Sequence, residues 1–227
     1  MKTERKSALI AGVALIVMAV AAAFSFGFVH NTLVVPGDSE TTFNNLSASK
    51  SLFSLEVLGW IIILICDVAV SLALYSFFKS VSRKLSFNAA AVRLVYSAIL
   101  GVAIFYLVQV LNSLPGTEDL TNEVMSNLNT FKTVWSVGLI IFGIHLFLLG
   151  LLAIKSRFIH NIWGILLVFA GISYSVLQAF YFIFPDFESH IKMAENILSL
   201  PMAFAEIGFA IWLIIRGGKP KIIYKAI

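Results

Sequence analysis

The sequence predicts an all-α polytopic membrane protein, a bundle of six transmembrane helices with both termini in the cytoplasm. Of the 227 residues, 59% are hydrophobic and only 12% are charged, and the mean hydropathy is +0.95, well above that of a water-soluble domain. The apolar residues fall into blocks of about 20 residues, the length that a helix needs to cross about 30 Å of hydrocarbon. Ten-residue stretches of alternating polarity are absent, which disfavours an outer-membrane barrel.

Six apolar segments are bounded by charged, proline or glycine residues and define the predicted spans. We predict one domain over residues 1–227, with spans at residues 7–29, 52–78, 88–111, 131–154, 161–184 and 198–215. The first segment follows the basic start MKTERK and therefore resembles a secretory signal peptide. Its apolar run is longer than the core of such a signal, which is about 7 to 15 residues, so we predict a retained helix.

The basic residues predict the orientation. The connections KSVSRK and KSRFIHN are short and basic, whereas the other three connections are longer and carry most of the acids. Of the 16 Lys and Arg residues, twelve fall on the side of the termini, three fall on the opposite side, and Arg93 lies within a span. The positive-inside rule then places both termini in the cytoplasm. A basic pI of 9.2 is thereby explained without a nucleic-acid partner.

Two longer connections predict helices outside the spans. In GDSETTFNNL, Asp38 or Ser39 has the position and chemistry of a helix N-cap. In DFESHIKMAENIL, the apolar residues Phe187, Ile191 and Ala194 recur at helical spacing. That spacing predicts a short amphipathic helix lying on the membrane surface.

Four ionisable side chains lie deep within the predicted spans: Asp67, Arg93, His145 and Glu206. Such residues cost about 2.5 to 3.5 kcal/mol on insertion scales and are candidate functional residues for that reason. Each of the four lies about 9 to 12 residues from the nearest cytoplasmic charge, a depth of roughly 13 to 18 Å. Because four helices bring their ionisable group to one level, the sequence predicts a buried polar cluster near the middle of the membrane.

The charges of this cluster can balance in pairs. Asp67 and Arg93 belong to consecutive helices joined by a short turn, so we predict an ion pair between them. Glu206 with a protonated His145 would complete a neutral set. The residues expected to support the cluster lie on the third and fifth spans: Tyr96, Tyr174, Ser175 and Gln178.

Known catalytic and metal-binding patterns are missing from the sequence. The single cysteine, Cys66, has no internal disulfide partner, and neither GxSxG, HExxH nor a P-loop occurs. His30 and His190 fall in outer connections and His160 in an inner one, which leaves His145 without a histidine partner in the membrane. We therefore predict neither a metal nor a cofactor.

Three interpretations of the cluster remain open. The preferred one is a non-enzymatic protein that binds or passes a small polar solute, an ion or a proton, with His145 changing charge near neutral pH. The second is a structural or partner-binding membrane protein whose ion pairs only hold the bundle together. The third is an intramembrane enzyme, which would need a nucleophile such as Ser97 or Tyr174 beside the cluster.

Several blocks of the sequence resemble a known family of bacterial multi-pass membrane proteins, domain-of-unknown-function family 4386. The blocks are VVPGDSETTFNNLSASKSLFSLEVLG, CDVAVSLALYSFFKSVSRKLSFNAAAVRLV, FGIHLFLLGLLAIKSRFIHNIWGILLVFAGISY and AEIGFAIWLIIRGGK. The resemblance runs from about residue 7 to residue 218, and the four ionisable residues fall within these blocks. The chain departs from the family at SRFIHN, where His160 stands in place of an expected proline. The resemblance implies a six-helix domain in the bacterial plasma membrane, with the lipid bilayer as its partner and no established activity.

Overall fold

The computed structural model describes residues 2–114 and 120–219, which are almost entirely helical and form no strand. The first helical unit is continuous and consists of α1 (Lys2–Ala22), a π-helical segment (Ala23–His30) and α2 (Asn31–Leu33). The remaining elements are α3 (Ser39–Ala48), α4 (Lys50–Phe78), α5 (Arg83–Ser113), α6 (Thr121–Lys155), α7 (Asn161–Ile183), a 3₁₀ turn (Pro185–Phe187) and α8 (Glu188–Ile215). Six of these helical units are long and apolar enough to cross a membrane, so the predicted all-α fold with six spanning helices is confirmed.

Five of the six spanning helical units are longer than the predicted spans, and α7 matches its predicted span to within one residue. The clearest case is α6, which begins at Thr121, ten residues before the predicted start of the fourth span. Hydropathy detects only the part of a helix that matches the hydrocarbon, whereas backbone hydrogen bonding continues into the polar region. A helix of 35 residues measures about 52 Å, so α6 extends well beyond a hydrocarbon layer of about 30 Å.

The six spanning units form a closed ring. Each unit packs against its neighbours in the chain, and α8 closes the ring by packing against α1. The short helix α3 packs against α6 and α4. We call the side of the connections 34–38 and 184–187 the loop end, and the opposite side, where Arg5 contacts the end of α8, the terminal end.

The contact between α1 and α8 joins the two ends of the chain. The guanidinium group of Arg5 donates hydrogen bonds to the carbonyls of Leu213, Ile214 and Gly217, at 3.2, 2.6 and 2.8 Å. These carbonyls lie at the C-terminal end of α8, where the helix has no intrahelical donors left and carries partial negative charge. The first helical unit is thus part of the wall of the ring.

The predicted surface helix is wrong. Residues 188–200 are the first half of α8, which continues through Pro201 to Ile215 without a break. The apolar positions in this segment have the same period as those of the span that follows, so both belong to one helical face. Ile191, for example, is already buried.

The predicted cap of α3 is confirmed and is Asp38 rather than Ser39. Its carboxylate accepts hydrogen bonds from the hydroxyl of Thr41 at 2.7 Å and from the backbone N–H of Thr41 at 2.9 Å. Both bonds favour the ionised group and hold the pKa of Asp38 below its usual value.

Glycines allow α6 and α7 to approach each other closely. They are Gly143 and Gly150 on α6, and Gly164 and Gly171 on α7. A Cβ atom at Gly171 would lie 2.5 Å from the carbonyl oxygen of Gly143 and 2.6 Å from the backbone nitrogen of Phe147. The two backbones are therefore in direct contact, as expected for small residues on the facing sides of membrane helices.

Candidate functional site

Three of the four predicted cluster residues meet inside the ring. Asp67 lies on α4, Arg93 on α5 and His145 on α6, and the structure exposes no more than 1% of any of the three. Because α5 packs between α4 and α6, Arg93 can reach a partner on each side. The depth argument from the sequence therefore identified three residues that are in contact.

The predicted ion pair between Asp67 and Arg93 is confirmed. Nη2 of Arg93 lies 2.5 Å from Oδ1 of Asp67. Within the described part of the chain, Oδ2 of Asp67 and Nε of Arg93 have no hydrogen-bond partner. The pair thus cancels two buried charges but leaves part of its hydrogen-bonding capacity unused.

His145 is a neutral link in this network. Nη1 of Arg93 lies 3.0 Å from Nε2 of His145, and Nδ1 of His145 lies 2.8 Å from the carbonyl oxygen of Ala89. Arginine only donates and a carbonyl only accepts, so Nε2 must be the bare acceptor and Nδ1 must carry the proton. This arrangement defines one tautomer and excludes the imidazolium form, because a protonated Nε2 would face the guanidinium group.

The predicted pairing of Glu206 with a protonated His145 is therefore wrong. Glu206, on α8, accepts a hydrogen bond from the hydroxyl of Tyr174, on α7, at 3.0 Å. Arg93 and Asp67 are near enough to interact with Glu206 electrostatically, but the guanidinium group contacts Asp67 and His145 instead. Among the described residues, Glu206 has no cationic contact.

An aromatic side chain separates the two parts of the cluster. The Phe142 ring centroid lies 5.4 Å from Cζ of Arg93 and 5.4 Å from the ring centroid of Tyr174. Tyr96 packs against the same ring at 5.0 Å. The predicted cluster is thus a triad of Asp67, Arg93 and His145, and a separate pair of Tyr174 and Glu206; Phe142 contacts the first through Arg93 and the second through Tyr174.

Of the expected supporting residues, Tyr96 and Tyr174 lie at the cluster, and two lie elsewhere. Ser175 donates a hydrogen bond to the carbonyl oxygen of Ile140 at 2.9 Å and so joins α7 to α6. Gln178 donates to Glu195 at 3.3 Å, nearer the loop end. Gln178 shares a helical face with Tyr174 but lies about 6 Å nearer the loop end, whereas Ser175 is the next residue and points about 100° away around the helix.

A second buried carboxylate, Glu56, was missed by the sequence interpretation. Oε1 of Glu56 lies 2.8 Å from Nδ1 of His30 and 3.4 Å from Nε1 of Trp60. The side chain of Glu56 is 0% exposed and that of His30 is 15% exposed. His30 had been placed in a solvated connection, but the structure makes it the last residue of the π-helical segment.

A sequence signal for Glu56 was present. It lies inside the predicted span of residues 52–78 and eleven residues before Asp67, with Trp60 and Ile63 between them. Steps of four, three and four residues keep a helix on one face, so Glu56 and Asp67 share the buried face of α4. Because Glu56 lies near the start of this span, the sequence interpretation treats it as a charged residue that bounds the span.

Aromatic rings pack around Glu56 and His30. We call Phe26, Trp60, Phe131 and Trp135 the aromatic box. Trp135 lies 4.8 Å from Phe26, 5.0 Å from Trp60 and 5.9 Å from Phe131, measured between ring centroids. In the described part of the chain, the buried indole nitrogen of Trp135 has no hydrogen-bond partner.

These features define a multi-pass helical membrane protein with an ionisable interior and, among the described residues, no group of three or more metal-ligating side chains. The chain belongs to the family described as Domain of unknown function (DUF4386), whose profile matches residues 10–217. No solved structure matches it.

A relative in Archaeoglobus fulgidus, described as an uncharacterized protein, is 31% identical over 166 residues. The match covers 72% of this chain and 85% of the relative. Since this relative is archaeal, such sequences occur outside bacteria, and the bacterial origin of this chain stays a prediction.

Proposed function

We propose that this protein binds a proton at Glu206 and passes it across the membrane through the interior of the ring. The observation that carries the proposal is a membrane-embedded carboxylate whose partner is a tyrosine hydroxyl, with no cationic contact among the described residues. A carboxylate without a counter-charge in a medium of low dielectric constant gains a proton or a cation. Glu206 is therefore the group most able to exchange one.

The charge balance of the cluster supports Glu206 rather than His145 as this group. Asp67 and Arg93 neutralise each other, and both ring nitrogens of His145 are engaged. A proton added to His145 would have to break one of its two contacts, and a proton added to the vacant Oδ2 of Asp67 would remove the charge that neutralises Arg93. A proton added to Glu206 can bind Oε2, because Tyr174 bonds only to Oε1.

The contacts around Glu206 also suggest how a proton is held and released. As a carboxylate, Glu206 keeps the Tyr174 hydrogen bond across the interface of α7 and α8 and interacts with the positive charge of Arg93. As a carboxylic acid, it loses its charge and its attraction to Arg93, and its bond with Tyr174 weakens. The protonation state thus changes a contact between two helices of the ring.

The remaining contacts favour a non-enzymatic protein. Of the two hydroxyl groups considered as nucleophiles, Ser97 donates to the carbonyl oxygen of Arg93 at 2.9 Å and Tyr174 donates to Glu206. Each hydroxyl is therefore engaged with a group of the protein.

A carboxylate-to-amide substitution tests the role of Glu206. In proteoliposomes that contain an internal pH dye, a potassium diffusion potential is expected to drive proton entry faster than in protein-free vesicles. Glu206→Gln, which keeps the shape and removes the exchangeable proton, is expected to reduce the rate to that of protein-free vesicles. Tyr174→Phe is expected to retain proton flux but to change its dependence on pH, because the hydrogen bond to Oε1 of Glu206 is lost.

The matched control is Glu195→Gln, the same substitution on the same helix. Glu195 accepts hydrogen bonds from Gln178 and Tyr181 and should keep wild-type flux when replaced. Flux that is absent from the wild-type protein, or unchanged in Glu206→Gln, contradicts the proposed function. The second interpretation, a bundle stabilised by its ion pairs, would then be favoured by the closed network of Asp67, Arg93 and His145.

We propose further that both termini face the cytoplasm of the plasma membrane, on the strength of the basic residues at the terminal end. In a Cys66→Ala background, Ser189→Cys places a thiol at an exposed loop-end position and Ser80→Cys places one at an exposed terminal-end position. A membrane-impermeant maleimide is expected to label the first in intact cells and the second only after lysis. The opposite pattern contradicts the orientation.

A further inference from the structure

The loop end contains a buried acid that the proposed function does not use. Glu56 is completely buried, and in the part of the chain that the structure describes its Oε2 atom has no hydrogen-bond partner. The other oxygen, Oε1, faces Nδ1 of His30 and the indole N–H of Trp60. A buried acid with one engaged and one vacant oxygen has a place for a proton.

His30 lies between this acid and the surface of the protein. It closes the π-helical segment at the loop end, and 15% of its side chain is exposed while its Nδ1 contacts the buried carboxylate. An imidazole has one nitrogen on each side of its ring and can accept a proton at one while releasing a proton from the other. His30 has the geometry for such a transfer, because its Nδ1 contacts Glu56 and part of its ring is exposed.

We infer that His30 and Glu56 form a second proton-binding site, which exchanges with the solution at the loop end and supplies Glu206. The supply role rests on the proposed function, whereas proton binding at the pair does not. In the exchange, a proton adds to Nε2 of His30, and the proton on Nδ1 moves to Oε1 of Glu56. The pair gains one proton and its charge changes from minus one to zero, with the ring left as the other neutral tautomer.

The packing of the aromatic box favours a proton over an organic cation as the ligand of this site. Its rings contact one another with centroids 4.8 to 6.4 Å apart, which is the separation of packed aromatic pairs. An aromatic cage for an organic cation has the cation between its rings, and here the rings occupy that space themselves. A proton needs no such space, because it moves between hydrogen-bonded atoms.

The elements around the pair also carry charged side chains. On α6, Lys132 follows Phe131 of the box, and its ammonium group lies 5.9 Å from the ring centroid of Tyr181 on α7. Lys50 of α4 and Glu40 of α3 are exposed.

The π-helical segment provides a way to connect the site with the interior. It contributes His30 to the pair and Phe26 to the aromatic box. In the described structure its buried Ser25 hydroxyl has no hydrogen-bond partner. Such wide turns are rare and often lie at functional sites, since returning to α-helical register rotates every side chain that they contain. A change in this segment would move Phe26 and His30 together.

Tryptophan fluorescence tests proton binding at the pair. Trp60 donates a hydrogen bond to Glu56, so protonation of Glu56 removes a charge beside this indole. In a Trp163→Phe, Trp212→Phe background, the purified protein is expected to show a reversible emission change with pH. Glu56→Gln is expected to abolish this change, and His30→Phe, which keeps the ring, is expected to slow it after a rapid pH jump. His190→Gln is the matched control and should change nothing.

Flux measurements separate the two parts of the inference. If Glu56 supplies Glu206, then Glu56→Gln is expected to reduce proton flux in proteoliposomes to the level of Glu206→Gln. An emission change that persists in Glu56→Gln and proceeds at an unaltered rate in His30→Phe overturns the proton-binding site. A change that depends on Glu56, combined with wild-type flux in Glu56→Gln, overturns only the supply role. Absence of flux from the wild-type protein overturns the proposed function and the supply role, while the fluorescence titration still decides the binding site.

Discussion

Replacing Asp67 by asparagine is expected to lower the free energy of unfolding by about 3 to 5 kcal/mol. The guanidinium group of Arg93 is completely buried and contacts the Asp67 carboxylate at 2.5 Å. Without that carboxylate, its neighbours are the neutral imidazole of His145, the Phe142 ring and the thioether sulfur of Met18. None of these neutralises a positive charge, so the variant retains a buried cation without a counter-ion.

The double variant Asp67→Leu, Arg93→Met is expected to recover much of this loss, because it removes both charges and keeps apolar volume. Unfolding of the purified protein in detergent, followed by circular dichroism, measures all three proteins. If the ion pair is only structural, as the closed triad suggests, the double variant should also keep proton flux. A double variant that is as unstable as Asp67→Asn would contradict the charge-pair explanation, and recovered stability without flux would place the pair in the proton pathway.

Replacing Gly171 by leucine is expected to have the second large effect. The side chain would begin 2.5 Å from the carbonyl oxygen of Gly143 and 2.6 Å from the backbone nitrogen of Phe147. Backbone atoms cannot move aside as a flexible side chain can, so α6 and α7 must separate. Overpacking of this kind costs about 1 to 3 kcal/mol in cores, and we expect the upper part of this range.

Gly101→Leu is the matched control on α5. The nearest atom to a Cβ there is Cδ2 of Leu64 at 3.7 Å, an ordinary contact, so the substitution should be close to neutral. The midpoint of thermal unfolding in detergent compares the two variants. Similar losses in both would mean that glycine-to-leucine substitution is costly in any spanning helix, and would remove the special role of the α6–α7 contact.

Much of the central site could be predicted from the sequence, because the depth of a residue in the membrane and the order of the helices can both be read along the chain. Asp67 and Arg93 lie at similar depth on helices joined by a short turn, so antiparallel packing brings them together. The position of Glu206 was less accessible, since the sequence does not say which helix closes the ring. The structure places α8 beside α7 and α1, and Tyr174 rather than His145 is the partner of Glu206.

The protonation state of His145 could not be predicted from the sequence, because it depends on a backbone carbonyl group. The carbonyl oxygen of Ala89 and the guanidinium group of Arg93 together define its tautomer, and no side-chain pattern indicates that a carbonyl group is available. The contact between His30 and Glu56 could not be predicted either, because a π-helical segment positions His30. The apolar sequence of the first span contains no signal for that segment, so His30 appeared to belong to a solvated connection.

The sequence by itself determined the class of protein, the number of spanning helices and the burial of Asp67, Arg93 and His145 with partners. These follow from the free energy of transfer between water and hydrocarbon, which depends on residue type and on the length of an apolar segment. The tertiary structure alone decided which partners those residues have. Partner choice depends on helix order around the ring, on helix rotation and on the direction of individual hydrogen bonds, and these are settled only when all six helices pack together.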